Sequence, residues 1–374
     1  MNYRYFGKTG IKVSILGLGT MHLPMEKING KSFLKEEKEL TKLIREAIEY
    51  GINFIDTGYH YCEEQSEIIV GKAIKGLRDK VYLSTKIPTW EVKKPSDYRV
   101  FLKEQLKKLD VDYIDFYHFH GLNEIVFKNV VLKYDLLKEA QKAKDEGIIR
   151  YISFSFHDST DIMKEIIDTG IFDSVLCQYN ILDTTLEDAI EYASLKGLGV
   201  AIMGPLGGGR VISMGASNTF VKENIDFAEL GLKFVFSNKN ISTALSAMVT
   251  LKMLKENIKT ASNSFKMKTE ELNLIEKILT EQKNKELIPC TSCNYCMPCP
   301  NHVFISGIFK NFNYYRLTGN KSMVAKIYNE IDLEYSDYSK ADKCAECGEC
   351  EEKCPQKIDI INKLKEIHEL FSKN

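Results

Sequence analysis

The 374-residue chain lacks a charge of one sign: 51 lysines and arginines stand against 52 aspartates and glutamates, a formal charge of −1. So even a balance excludes a protein held on nucleic acid by a basic field, and it leaves no acidic tail. No run of about 18 apolar residues occurs, so neither a spanning helix nor a membrane partner is expected. The opening MNYRYFGKTG has no apolar signal-peptide core, and a cytoplasmic location follows as the expectation. Cysteine is scarce through most of the chain, where Cys62 and Cys177 stand alone. A secreted disulfide framework, which would spread bridges throughout, is thereby excluded. There is no strict internal repeat and no low-complexity segment. What remains, 44% hydrophobic and 28% charged, is an ordinary globular composition long enough for two or three domains.

The other eight cysteines crowd into the last quarter. Cys344, Cys347, Cys350 and Cys354 read C-x2-C-x2-C-x3-C-P, and Cys290, Cys293, Cys296 and Cys299 read the same with one residue fewer before the last. Three cysteines at two-residue intervals can cap three irons of one cubane, while a fourth followed by a helix-breaking proline points towards a second cluster. With the crossover of two-cluster ferredoxins, Cys290, Cys293, Cys296 and Cys354 would ligate one 4Fe-4S cluster. Cys299, Cys344, Cys347 and Cys350 would ligate the other. Paired zinc knuckles are the competing reading, but zinc has no use for a third evenly spaced cysteine and a Cys-Pro in each half. Cys62 and Cys177 read as small packed hydrophobes.

Before these clusters, β-branched and aromatic runs alternate with helical-period stretches. The strand expectations are 13–19, 52–56, 81–86, 113–120, 149–155, 173–179, 200–204 and 242–247. Between them, Leu40, Leu43, Ile44, Ala47 and Ile48 share a helix face that Gly51 ends. Ser159 is placed to cap the helix that carries Met163 and Ile167. Helices are also expected over 103–109, 188–195 and 269–281, with two more in 303–340. Eight strand–helix units in about 240 residues suit an α/β fold of the (β/α)8 TIM-barrel type rather than a doubly wound sheet. The Gly17-x-Gly19 pair lacks the third glycine of a dinucleotide fingerprint and carries no weight. The domain boundary is set near Lys283: a barrel over 1–283 and a mainly helical ferredoxin-like iron–sulfur domain over 284–374. In the last helix, Ile361, Leu364, Ile367 and Phe371 form an apolar stripe that docks on the protein itself.

Chemistry in such barrels sits at the C-terminal ends of the strands. Reading those ends gives Asp56, Lys86 and His120, with Tyr61 five residues beyond Asp56. A tyrosine is a poor acid near neutrality unless a cation lowers its pKa. Lys86 is suited to that task, Asp56 to holding the ammonium, and His120 to orienting a carbonyl oxygen or relaying a proton. His118, two residues before His120, points the same way and is expected to be hydrogen-bonded inside the barrel. His22, His60 and His157 are expected at the rim, and His302 and His368 in structural or surface roles.

FIDTGYHY, STK and DYIDFYHFH resemble the three motifs of the aldo-keto reductases, with their Asp–Tyr–Lys–His tetrad. The N-terminal YRYFGKTGIKVSILGLGTM is similar to the hairpin that opens that barrel, and the likeness runs to about Ala261. With CNYCMPCP and CAECGECEEKCPQ, the whole chain resembles the bacterial branch that fuses the barrel to a ferredoxin-like C-terminus. The resemblance implies an oxidoreductase: NAD(P)H-dependent reduction of a small aldehyde or ketone by hydride transfer, with Tyr61 as general acid. It implies nicotinamide contacts at Ser155 and Gln178 and at Met203-Gly204-Pro205-Leu206, where methionine stands in place of a stacking tyrosine. Gly19, Thr20 and Met21 join the cofactor set, as do Ser246 and Met248 near the phosphates and Asn257, with Glu256, near the adenine. Met248 occupies a position where many members carry a phosphate-binding arginine, with Lys252 or Lys255 as substitutes, so both NADP(H) and NAD(H) stay open. The glycine-rich 205–210 is read either as backbone approaching the cofactor or as a flexible loop.

The iron–sulfur domain would exchange electrons with an external carrier or brace the barrel. A two-electron hydride and a one-electron cluster need an intermediary such as a flavin, for which no site is recognisable. The other function classes are an electron-transfer protein using its barrel as a docking scaffold, and a metal-dependent barrel hydrolase built on His118 and His120.

Overall fold

The computed structural model describes residues 1–28, 31–222, 224–334 and 337–372, which include every candidate site residue named above. The chain forms two compact units, Met1–Pro205 with Gly231–Met267, and Leu206–Leu230 with Lys268–Asn374.

The first unit opens with a hairpin, β1 (Tyr3–Tyr5) antiparallel to β2 (Lys12–Ser14). A second hairpin, β4 (Met25–Ile28) with β5 (Lys31–Leu34), follows β3 (Leu16–Gly19). The barrel strands are then β3, β6 (Phe54–Asp56), β7 (Tyr82–Ile87), β8 (Ile114–Leu122), β9 (Ile149–Phe156), β10 (Ser174–Gln178), β11 (Gly199–Met203) and β12 (Thr243–Ser246). They pair in parallel in that order and close where β12 meets β3. The stretch 13–19, expected as one strand, is two. Ser14 turns its hydroxyl onto the Leu16 carbonyl at 2.8 Å and Ile15 N–H bonds to Asn2, so β2 stays in the hairpin and β3 enters the barrel.

Strand alternation sorts the barrel interior by height. Phe54, Phe116, Leu176, Ala201 and Leu245 form an apolar floor, sealed by Phe6 and Val13 from the hairpin. The Phe6 ring meets Phe116 edge-on at 4.7 Å and lies 5.4 Å from Phe54. Two residues further along the same strands stand Asp56, His118 and Gln178, so the polar groups collect above a dry base.

Helix expectations need four corrections in this unit and the next: 269–281 runs on to Asn284, 303–340 holds three helices among its described residues rather than two, and a cap and a stripe residue differ. Ser159 occupies the N-cap of Thr160–Ile167 in extended backbone, but its hydroxyl makes no capping bond. The Asp158 carboxylate instead accepts from Ser159 N–H and Glu124 N–H, at 2.8 and 3.0 Å. In the terminal helix Ile360–Phe371 the buried stripe is Ile360, Leu364, Ile367 and Phe371; Ile360 replaces Ile361 because the four-residue step to Leu364 keeps it on one face.

The second unit contains the helices Thr269–Asn284, Ile305–Thr318, Lys321–Asn329, Ile331–Glu334 and Ile360–Phe371. The first of them runs on through Lys283, since Glu, Gln, Lys and Asn are all compatible with a helix that simply continues. Phe309, Phe312, Val324, Tyr328, Leu364, Ile367 and Phe371 make its core, and six of the clustered cysteines pack against it. Segment 206–230 belongs here: the Ser217 hydroxyl bonds to the Glu281 carboxylate. No helix among the described residues is long and apolar enough to cross a membrane.

Candidate active site and cysteine loops

Asp56 ends β6 and Lys86 lies near the end of the neighbouring β7. Their side chains are almost wholly enclosed, 5% and 1% exposed, and meet at 2.6 Å. The ammonium also donates to the Thr57 carbonyl at 2.5 Å, and the Ser84 hydroxyl donates to the other Asp56 oxygen at 2.7 Å. Burial lowers the Lys86 pKa, and Asp56 opposes that by favouring the charged form. The pair holds the Lys86 ammonium in place. That ammonium sits 4.7 Å from the centre of the Tyr61 ring.

Tyr61 is held by its own loop. A Cβ on Gly58 would stand 3.1 Å from the Tyr61 ring, so glycine lets the ring lie over the backbone. Cys62, Glu63 and Glu64 follow with φ of 53°, 51° and 67°, three side-chain-bearing residues in the left-handed region directly after the tyrosine. His120 stands edge-on to Tyr61 at 5.9 Å between ring centres, and Trp90, half exposed, lies 4.9 Å from His120. The four expected residues thus converge on one rim.

Burial and the nearby Lys86 charge hold His120 neutral, well below the ordinary histidine range. The same two causes push His118 down to about 3. His118 is buried as expected, but neither of its ring nitrogens makes a hydrogen bond of good geometry, although the Phe154 backbone lies close. The strand pairing fixes it between Lys86 and Ser153, with the Phe154 backbone as its polar neighbour. An ammonium beside both histidines repels any metal cation, which weighs against the hydrolase reading. His60 stacks on Trp90 at 5.6 Å and meets Glu91 at 2.5 Å, whereas His22 is exposed and His157 half-buried. His302 is exposed, and His368 bonds to the Tyr328 hydroxyl at 2.8 Å.

Three groups escaped the sequence reading. Ser84 lies two residues before Lys86 and so faces the same way, a signal that alternation could have supplied. Trp90 is the single tryptophan, in the loop after β7. Behind Lys86, buried Glu67 accepts from Thr85 and Gln105, each at 2.6 Å, and Gln105 also donates to the Lys86 carbonyl at 3.0 Å. Burial pushes the Glu67 carboxyl upward. No local motif announces this network, because its members come from separate helices and strands.

The expected nicotinamide contacts also stand at strand ends. Ser155 on β9 accepts from Gly121 N–H at 2.7 Å, and Gln178, last in β10, donates to Asp183 at 2.7 Å. A hydroxyl and a primary amide on adjacent strands are the donor set that a carboxamide would pair with. Met203 ends β11; Gly204 follows, its carbonyl bonded by Asn180 at 3.0 Å, then Pro205. Leu206 falls in the second compact unit. Gly19 ends β3, and Thr20 bonds to the Asp56 carbonyl at 2.9 Å, with half-buried Met21 next. Asn257 donates to Ser246 at 3.1 Å and ties its helix to β12. The Met248 side chain is buried, so it offers a ligand only its backbone. Lys252 and Lys255 are exposed, Lys252 lying 3.8 Å from Glu256.

In the second unit the cysteines line two recesses. One is bordered by Cys290, Cys293, Cys296 and Cys354, the other by Cys299, Cys344, Cys347 and Cys350, with Cys296 on the wall of both. Each recess therefore draws its fourth cysteine from the opposite motif, and four thiols around an apolar hollow fit an iron–sulfur cubane. Asn313 anchors the first loop by bonding both the N–H and the carbonyl of Ile288 at 2.8 Å. Cys62 and Cys177 take no part: the Cys62 thiol faces the Thr20 and Met21 carbonyls, and burial pushes the two up to about 11 and about 12.

A closed eight-stranded parallel barrel with a hairpin floor, a Lys–Asp pair beside a tyrosine, and a helical unit with two four-cysteine recesses define an oxidoreductase barrel joined to an iron–sulfur domain. The aldo/keto reductase family profile matches residues 15–218, and a 4Fe-4S dicluster domain matches residues 289–358. The chain is 30% identical over 313 residues to L-galactose dehydrogenase of Arabidopsis thaliana, covering 75% of this chain and 95% of that protein. Among solved structures, the aldo-keto reductase AKR11C1 from Bacillus halodurans in its holo form aligns with a TM-score of 0.62 at 23% identity, over 74% of this chain and 96% of that one. An aldo/keto reductase from Klebsiella pneumoniae in complex with NADP and acetate aligns with a TM-score of 0.60 at 23% identity, over 73% and 94%. This chain belongs to the aldo/keto reductase family and carries a C-terminal 4Fe-4S dicluster domain.

Proposed function

We propose that the barrel reduces a small aldehyde or ketone at the expense of NADP(H) or NAD(H), with Tyr61 as the general acid. The observation that carries this reading is the enclosed Asp56–Lys86 pair, whose ammonium is set 4.7 Å from the Tyr61 ring, with neutral His120 edge-on to that ring at 5.9 Å. Bound against Ser155, Gln178 and Met203, a reduced nicotinamide would supply the hydride. The Lys86 ammonium stabilises the phenolate that Tyr61 becomes when it gives its proton to the carbonyl oxygen. Asp56, fixed by Ser84, keeps that ammonium charged against its own burial. His120 is neutral, so it can donate one N–H to the carbonyl oxygen without competing for the proton. Trp90 would wall the substrate side. The same groups run the reverse oxidation, the direction named for the Arabidopsis relative.

Two 4Fe-4S clusters are assigned to the two recesses: Cys290, Cys293, Cys296 and Cys354 for one, Cys299, Cys344, Cys347 and Cys350 for the other. Cys347 is the exposed member of the eight, which supports electron exchange with an external carrier at the second cluster. Thiolate clusters of this kind suit a reducing cytoplasm. The barrel is proposed to extend over 1–283, with the cluster domain over 284–374.

The test is an anaerobic preparation titrated with NADPH and NADH and then given a test aldehyde. Nicotinamide oxidation matched by alcohol formation supports the proposal, and failure to bind either nicotinamide overturns it. About eight irons per chain are expected; zinc in their place would defeat the cluster assignment.

A further inference from the structure

Glu67 is a buried ionisable group that the proposed mechanism does not use. It lies in the first turn of the helix Ser66–Ile74 and is wholly enclosed, at 0% exposure. Its Oε1 accepts from the Thr85 hydroxyl and from Gln105 Nε2–H, each at 2.6 Å, and its Oε2 has no hydrogen-bond partner among the described residues. Two short bonds converging on one oxygen are what an ionised acceptor makes. The start of a helix favours the same charge. Burial pushes the carboxyl up, while the Thr85 and Gln105 bonds and the Lys108 and Lys86 ammonium groups act against it.

Hydrogen bonding alone does not call for a carboxylate here. A glutamine side chain would accept the same two bonds through its own Oε1 and would set its Nε2 where Oε2 now lies. What glutamate adds is charge, and a buried oxygen is left unbonded for it. Thr85 precedes Lys86 on β7, so Glu67 lies against the outer face of the strand whose inner face carries the ammonium. Gln105 locks the connection: it donates to the Lys86 carbonyl at 3.0 Å, and its Oε1 accepts from the Tyr117 hydroxyl at 2.6 Å. Ser66, beside Glu67, bonds the hydroxyl of Thr57, whose carbonyl takes the Lys86 ammonium. Ser66 N–H also donates to the Tyr61 carbonyl at 3.2 Å. Adjacent residues of one helix thus reach the Tyr61 loop and Lys86 from two sides.

We propose that Glu67 is a positioning residue for the Lys86 ammonium: its carboxylate, on the far side of β7, is the second negative charge, with Asp56, that keeps this ammonium charged beside Tyr61. The inference rests on the carbonyl-reductase reading above and adds a charge balance to it. Facing Lys86 are Asp56 on β6, the Tyr61 ring, neutral His118 and His120 on β8, and Glu67. Facing Glu67 are Lys86, Lys108 from the helix Asp97–Leu109, and Tyr117 from β8. An ammonium gives up its proton more easily once a negative neighbour is gone. Removing the Glu67 charge therefore brings the loss of activity at high pH to a lower pH.

The test uses the full-length, cluster-loaded protein and reads two things: the pH profile of kcat for a test aldehyde, and infrared spectra of the carboxyl groups at neutral pH. Glu67→Gln is expected to move the high-pH limb down by about one pH unit, roughly tenfold in the proton equilibrium. Thr85→Val, which removes one bond to Glu67 and no charge, should lower the urea midpoint and leave the limb in place. Glu67→Asp keeps the charge and should keep the wild-type limb. The infrared difference between wild type and Glu67→Gln should show the loss of a carboxylate band. A limb unmoved in Glu67→Gln would overturn the inference. So would a limb moved as far by Thr85→Val or Glu67→Asp, or the loss of a protonated-carboxyl band in place of a carboxylate one. Should Glu67→Gln not fold, the infrared difference against Glu67→Asp decides: a change in a carboxylate band supports the charge, and a change in a protonated-carboxyl band overturns it. Wild-type protein that turns over no aldehyde refutes the carbonyl-reductase reading itself, a failure visible before any Glu67 variant is measured.

Discussion

The barrel and the cysteine unit hold their reactive groups in opposite ways. In the barrel, Asp56 and Lys86 are enclosed and already joined at 2.6 Å, with Ser84 and the Thr57 carbonyl completing the pair. In the second unit all eight thiols keep some exposure, and burial pushes Cys293 up to about 11 and Cys296 up to about 12. The first arrangement is fixed by packing and needs no ligand to exist. The second surrounds a hollow, and its order is coupled to what fills it. On the proposed reading, catalytic geometry is a property of the fold, whereas cluster geometry is a property of the fold plus metal.

Breaking the barrel pair should give the largest effect. Lys86→Met removes the cation beside Tyr61 and leaves Asp56 buried and unpaired. A loss of about 3–5 kcal/mol in stability is expected, along with a roughly 10²–10⁴-fold fall in kcat. Adding Asp56→Asn should recover much of the stability, read by urea unfolding, and none of the rate. Recovery of both would show that the pair is structural.

The second contrast is tested by removing metal. Anaerobic chelation should raise hydrogen exchange in Ile305–Thr318 and Ile360–Phe371 by orders of magnitude, while β7 and β8 stay protected. Cys354→Ser should abolish the same paramagnetic signal as Cys290→Ser, and not the one lost in Cys344→Ser. Pairing of Cys354 with Cys344 would refute the crossover.

A smaller, pH-dependent effect should come from His118. Its folded pKa near 3 lies below the unfolded value near 6.5, so between these the unfolded chain takes up a proton that the folded chain refuses. Its contribution is intact above about pH 6.5 and is lost progressively towards pH 3, on the order of 5 kcal/mol in all. His118→Leu should flatten that acid limb in denaturation curves measured from pH 7 to 4; an unaltered slope would place the proton uptake elsewhere. Smallest of all, Ser84→Ala deletes one bond to a carboxylate and should cost about 1–2 kcal/mol, with a few-fold loss in kcat. A full-strength enzyme with unchanged stability would make Ser84 a bystander.

What could be read in advance follows the same division. Cysteine spacing is local, so both motifs and even the partner exchange signalled by Cys-Pro were legible, and the two recesses agree with them. Asp56, Lys86 and His120 were legible because strand ends can be found by alternation and count. Ser84 was within reach of the same rule. Glu67 and Gln105 were not, since their meeting behind Lys86 depends on how two helices pack on β7. What the glycine-rich 205–210 packs on was not legible for a similar reason: three glycines signal freedom of backbone, but not that Thr291 is what Gly208 must clear. That the Phe154 backbone is the polar neighbour of His118, at less than good hydrogen-bond geometry, was equally illegible, because it depends on how β8 and β9 are paired.

The central claim, that the barrel's tyrosine supplies the proton for carbonyl reduction, is tested most directly by Tyr61→Phe. The variant should be purified anaerobically, with iron content and nicotinamide affinity measured alongside turnover of a test aldehyde. The account predicts wild-type iron, a near wild-type nicotinamide Kd and a kcat lowered roughly 10²–10⁴-fold. A Tyr61→Phe enzyme that reduces the aldehyde at the wild-type rate would contradict it.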